Sequence, residues 1–273
     1  MLRLPATLLI ALAVTAAGCG SGAAVSVPAP RSASPKQVIA AAADATRKSG
    51  TARLAMTITM TMGTQGTTKM TATGAMDFRG HRAGFHWRMA QPGRSPQSFD
   101  QRIDGTTIFT RIPQDPAGRW LKTEIAAIAP GTAAGTWSNG STDPAQLLDY
   151  LRGASSSIVR IGEERIRGVR TTHYRAVIDF DRMVRNAPAG QRKALARSLE
   201  QARAAGIDSL PIEVWVDADG VVRREVVNMS FENTLLTGMS MSMSIDLFDF
   251  GTTVDLAPPP AAKVVEYPGS SSS

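Results

Sequence analysis

The stretch MSMSMSIDL, Met239–Leu247, alternates a large apolar side chain with a small polar or acidic one. A period of two puts every second side chain on the same face of a strand, so the segment has to join a sheet with one buried and one wet face. The same period runs through Leu54, Met56, Ile58, Met60 and Met62, interleaved with Thr57, Thr59 and Thr61. It returns through Met70, Ala72, Gly74, Met76 and Phe78. With a turn at Gly63 to Gly66, these two runs read as a long antiparallel hairpin.

Methionine is an unusual choice for such strands. Valine and isoleucine fit a pleated surface better and lose little rotamer freedom there. Methionine offers an unbranched, polarizable side chain that adapts to partners of variable shape. Strand parity therefore nominates one soft apolar wall made of Leu54, Met56, Ile58, Met60, Met70, Met76, Phe85, Trp87, Met239, Met241, Met243 and Ile245. Two readings of that wall stand side by side. It lines a cavity for acyl chains, or it packs against an alanine-rich helix.

That helix is announced by Ser34-Pro35-Lys36-Gln37, a capping serine with proline at the first helical position and glutamine at the third, and it stops at Gly50. Phe85, Trp87 and Met89 share a face of the next strand, Asp104-Gly105 turns the chain before Thr107-Ile108-Phe109, and Arg119 to Lys122 start another extended run. Asp143-Pro144-Ala145-Gln146 repeats the capping pattern and predicts a helix over Ala145 to Arg152. Ile158 to Asp179 reads as two strands joined at Arg167-Gly168, and Arg182 to Ala205 as helix broken near Pro188. Asp219-Gly220 closes a hairpin between Glu213 to Asp217 and Val221 to Phe231. Phe248 and Phe250 fall on the other parity from the methionines before them, which predicts a bulge. Pro258-Pro259-Pro260 is expected to end regular structure. The order predicts an α+β fold, a large curved antiparallel sheet forming a half-barrel wrapped over a few helices.

The start, MLRLPATLLIALAVTAAGCG, has one arginine, an apolar run from Leu4 to Ala17, then small residues, and it reads as a signal peptide. Cys19 is the single cysteine of the chain. Ala16-Ala17-Gly18-Cys19 resembles the bacterial lipobox, whose commonest form has leucine where Ala16 stands. It implies lipidation at Cys19 and anchorage on the extracytoplasmic face of the cell membrane. The expected organisation is a signal peptide over 1–18, a flexible Gly/Ser/Ala/Pro-rich tether over 19–34, a lipid-binding domain over 35–267 and a disordered tail over 268–273.

The chemistry of catalysis is sparse. His81, His86 and His173 are the three histidines, and none has a second ligand at metal-site spacing. No nucleophile elbow, Walker loop or dinucleotide fingerprint occurs. Asp217-Ala218-Asp219-Gly220 starts like a calcium loop, but Asn228 stands where the closing glutamate belongs. No enzyme activity, cofactor or metal is expected. The formal charge of +7, or +6 without Arg3 of the leader, favours loose contact with anionic surfaces. No basic run is interleaved with aromatics, so nucleic acid is not an expected partner. On the helical segment, Arg182, Arg185, Arg192, Lys193, Arg197 and Arg203 outnumber Asp181 and Glu200. Its basic face meets anionic lipid or water.

Ile161 to Tyr174, IGEERIRGVRTTHY, and Leu210 to Gly220, LPIEVWVDADG, resemble the LppX/LprG-type lipoproteins of actinobacteria, within the wider LolA/LolB-like lipoprotein-carrier superfamily. The likeness runs over roughly Pro35 to Tyr267, and Thr171 to Tyr174 with Trp215 to Gly220 are its most specific parts. It implies a half-barrel over helices with an apolar cavity for lipid or lipoglycan acyl chains, and an envelope transport protein as partner. The alternative is an envelope interaction or sensor module whose core is fully packed.

Overall fold

Ser34 caps the first helix as expected. Its hydroxyl accepts from the Gln37 backbone N–H, the Gln37 side chain accepts from the Ser34 N–H, and Pro35 stands at the first helical position. The computed structural model describes residues 33–63, 66–124, 155–187, 189–204, 206, 207, 209–231 and 238–266. The leader, Cys19, most of the tether, the helix expected over Ala145 to Arg152 and the C-terminal tail lie outside the described residues.

Helix α1 (Pro35–Lys48) is followed by β1 (Thr51–Met62), β2 (Thr67–Asp77), β3 (Arg82–Ala90), β4 (Gln97–Asp104), β5 (Thr107–Arg111), β6 (Trp120–Glu124), β7 (Ser155–Ile166) and β8 (Val169–Asp179). Then come α2 (Phe180–Asn186), α3 (Ala189–Ala204), β9 (Ser209–Asp217), β10 (Val222–Phe231), β11 (Met239–Phe248) and β12 (Val264–Glu266). All twelve strands form one open sheet in the order β12-β6-β5-β4-β3-β2-β1-β11-β10-β9-β8-β7. Neighbours are antiparallel except β12, which runs parallel to β6. The expected α+β half-barrel is the observed architecture.

The sheet is two meanders joined at one seam. β1 to β6 follow one another, as do β7 to β11, and the seam pairs β1 with β11. Both seam strands are the methionine-rich ones, in the register Leu54 opposite Leu247, Met56 opposite Ile245, Ile58 opposite Met243, Met60 opposite Met241 and Met62 opposite Met239. Directly opposite residues share a face, so the apolar sets of the two strands meet on one side. A slip by one residue would turn a whole set to the other face, which is why alternation this strict pins the register.

Helix α1 buries Ile39, Ala42, Ala43 and Thr46, spaced as one helical stripe, in the same core as Leu54, Ile178, Ile212 and Leu247. Alanine at two of these positions lets the helix backbone approach the sheet closely. Thr46 completes the dock, donating from Oγ1 to the Ala42 carbonyl at 2.7 Å and accepting from the Val222 N–H at 3.1 Å.

Two expectations are corrected. No bulge occurs at Phe248: β11 pairs without interruption to Arg53 opposite Phe248, and ordinary alternation alone turns that ring outward, where the Arg167 guanidinium lies 3.9 Å from its centroid. Regular structure also does not end at Pro258. The chain continues to β12, which adds to the edge of the sheet beside β6.

Candidate functional site

All twelve side chains nominated from parity stand on one face of the sheet, here called the inner face. The registers that place them are Ala52 opposite Met76, Ile58 opposite Met70, Gly74 opposite Phe85 and Ala72 opposite Trp87, together with those of the seam. The structure divides them by burial. Leu54, Met76, Phe85, Met241, Met243 and Ile245 are buried, whereas Met56, Ile58, Met60, Met70, Trp87 and Met239 are partly buried. Met62, Met89 and Phe99 continue the partly buried set, Met70 facing Met89 and Trp87 stacking on Phe99 with centroids 6.2 Å apart. Trp87 orients its indole by donating to Gln101 Oε1 at 3.2 Å. The result is a contiguous apolar surface from β11 across β1, β2 and β3 to β4.

On the opposite, outer face the same strands carry Thr57, Thr59, Thr61, Ser240, Ser242 and Ser244. At the β7–β8–β9 end of this face lies an arrangement that spacing alone did not show. His173, 5 % exposed, places Nδ1 3.0 Å from Glu164 Oε1 and Nε2 2.9 Å from Glu213 Oε2, and its ring stacks on Trp215 at 4.1 Å. The Trp215 indole N–H donates to Glu164 Oε2 at 2.9 Å and holds that carboxyl below the usual carboxylate range. Arg175 donates to the far oxygen of Glu213. The two segments that carry the family resemblance, around Thr171 to Tyr174 and Trp215 to Gly220, therefore meet in this polar clasp. Asp217 accepts from the Asp219 and Val221 N–H groups at 3.0 and 2.9 Å, so its carboxylate closes the β9–β10 turn. Among the described residues no three His, Cys, Asp or Glu side chains are placed to hold a metal ion, and no helix is long and apolar enough to cross a membrane.

The basic helical segment is two helices, as expected, with Pro188 between them outside the described residues. Leu199 packs against the core, Arg203 pairs with Asp181 across the two helices, and Arg185, Arg192, Lys193 and Arg197 are exposed.

The β5–β6 loop has its own lock. Asp115, its side chain 7 % exposed, accepts from the Arg119 guanidinium and the Arg119 and Ala117 N–H groups, which pulls its carboxyl down to about 2. A lowered value means the loop clasp is fully present above the ordinary carboxylate range and is lost only as pH falls through about 2. An NMR titration of the Asp115 carboxyl carbon should show its midpoint near 2.

No family model matches the chain. The crystal structure of the Mycobacterium tuberculosis lipoprotein LppX superposes with a TM-score of 0.50, covering 82 % of this chain and 98 % of LppX at 15 % identity. The chain has the LppX fold. LprF from Mycobacterium bovis gives a TM-score of 0.46 over 82 % of this chain and 96 % of LprF, at 14 % identity. By sequence, an uncharacterised 31.2 kDa protein of the rplA–rplJ intergenic region of Streptomyces griseus is 28 % identical over 114 residues. That match takes in 42 % of this chain, and the chain spans about a third of the relative's length, 36 %. The inner face carries the methionine wall, and the clasp around His173 belongs to the outer face.

Proposed function

We propose that the protein is a non-catalytic, lipid-anchored component of a bacterial cell envelope that holds the acyl chains of a lipid, glycolipid or lipoprotein against its methionine wall for carriage or transfer. The observation that carries this reading is the contiguous, partly buried apolar surface of Met56, Ile58, Met60, Met62, Met70 and Trp87. A soluble domain rarely keeps such a surface unless something binds there. The LppX-like fold and the lipobox-like Ala16 to Cys19 support the same setting. Lipidation at Cys19 would tether the domain to the outer leaflet through the Gly/Ser/Pro-rich stretch before Ser34.

The driving force is desolvation. Each chain methylene that leaves water contributes about 0.8 kcal/mol. Methionines, with three flexible torsions each, adjust to chains of different length and branching where β-branched residues could not. The test is native mass spectrometry with lipid extraction on protein purified from its own or a related bacterium. Acyl lipid at near one per protein is the expected result. A clean apo mass, with no uptake of added lipid, would move the assignment to an interaction module acting through its surface.

A further inference from the structure

After β11 the chain crosses the outer face as a strap on its way to β12 at the far edge. The Gly251 N–H donates to the Thr51 carbonyl at 2.9 Å and Thr51 Oγ1 donates to the Thr252 carbonyl at 2.6 Å. Farther along, Arg102 on β4 donates to the Asp255 carbonyl, and Leu256 is 7 % exposed against Gly84 of β3. Beside that contact the sheet offers small side chains under the strap, Thr73 and Ala75 on β2, so strap and sheet do not close on one another there. They leave a groove of about 610 Å³, within the range of small-molecule sites.

Its charges are not all spent. Arg111 and His86 both face Asp100, at 3.6 and 2.8 Å, and Arg53 leans towards Asp249 at 3.9 Å. Arg102 differs. It is partly buried, its hydrogen bond goes to a backbone carbonyl, and it joins no ion pair among the described residues. A guanidinium uses one N–H on such a carbonyl and keeps a planar edge free, the shape that grips a carboxylate or phosphate through two parallel bonds. Trp120, which also lines the groove, stands two strands across and two residues along from Arg102, about 12 Å between backbones at about 4.8 Å per strand and about 3.4 Å per residue. A ring that bears an anionic group fits between two long side chains whose backbones are that far apart.

We propose that this groove binds a small organic anion, its carboxylate or phosphate on Arg102 and its ring against Trp120. The site lies on the opposite face from the methionine wall, so either can fail without the other.

Calorimetric titration of the full chain with phenyl phosphate and with benzoate, against phenol as the neutral probe, tests it. Saturable one-site binding of an anion and none of phenol is expected, and the tighter anion tells phosphate from carboxylate as the natural group. Arg102→Gln should weaken binding about tenfold. Because Arg102 also holds the strap, Arg111→Gln serves as a second variant on an exposed side chain; it should weaken binding about threefold with the thermal midpoint unchanged. Met60→Ala should leave the affinity as it was. Failure of both anions to saturate, equal binding of phenol, or wild-type affinity in both arginine variants would overturn the proposal.

Discussion

Gly74→Ala should cost the protein more than about 3 kcal/mol, a large share of the stability of a typical domain. Gly74 lies on β2 opposite Phe85, in the middle of the twelve-stranded sheet. A Cβ there would stand 2.0 Å from the Gly84 carbonyl oxygen, 3.0 Å from the Gly84 carbonyl carbon and 3.1 Å from Phe85 Cα. All three are backbone atoms, so no rotamer change relieves the clash. β2 and β3 would have to part, and β1 and β4 hold them from either side. Gly162→Ala is the control, since nothing lies within 4 Å of a Cβ at that position in β7. It should change stability by less than about 0.5 kcal/mol. Urea unfolding of the two variants beside the parent decides the matter, and near-equal midpoints would show that the two strands are not as closely apposed as described.

Leu54→Ala should lower stability by about 2 to 5 kcal/mol while leaving acyl-lipid uptake per folded molecule largely intact. Leu54 is 1 % exposed and sits in the core with the buried stripe of α1. Met60→Ala should do the reverse. Its side chain is partly buried, so truncation loses a smaller share of transfer energy and leaves less of a void, but it removes a piece of the proposed acyl wall. Denaturant curves and native mass spectra of both variants together give a two-way readout. Equal stability costs with no change in lipid would mean the inner face is packed from end to end, and the carrier reading would fall. The contrast also corrects a tempting choice: Met241 is 4 % exposed, so truncating it tests packing more than binding.

How much of this was readable beforehand depended on the range of each interaction. The capping box at Ser34, the hairpin of β1 and β2, the turns at Asp104-Gly105, Arg167-Gly168 and Asp219-Gly220, and the break between α2 and α3 all arise within a few residues of sequence. Parity also placed the twelve wall residues on one face, because alternation carries the face with it. The supposed bulge at Phe248 shows the limit of the method. A change in which parity is apolar is not a change in backbone: Phe248 faces outward by ordinary alternation under the Arg167 guanidinium, while Phe250 lies past the end of β11 and packs against the core beneath Arg223.

The clasp around His173 was out of reach for a related reason. Glu163 and Glu164 are adjacent and point apart, and nothing in their neighbourhood says that Glu164 will meet a histidine nine residues away and a tryptophan fifty-one away. The groove under the strap depends on contacts longer still, Arg102 to Asp255 across 153 positions and Thr51 to Thr252 across 201.

The amino-acid order by itself determined the type of α1 and of the long strands, their wet and dry faces and the strictness of their register, because periodicity, capping and turn chemistry act locally. Tertiary structure alone decided that β1 and β11 form the seam, that one half of the methionine wall is sealed into the core while the other stays partly open, and that a strap leaves Arg102 without an ion pair over a floor of small residues. Those outcomes rest on which distant surfaces come to lie together. A strand's own pattern specifies the face it buries and is silent on what it buries it against.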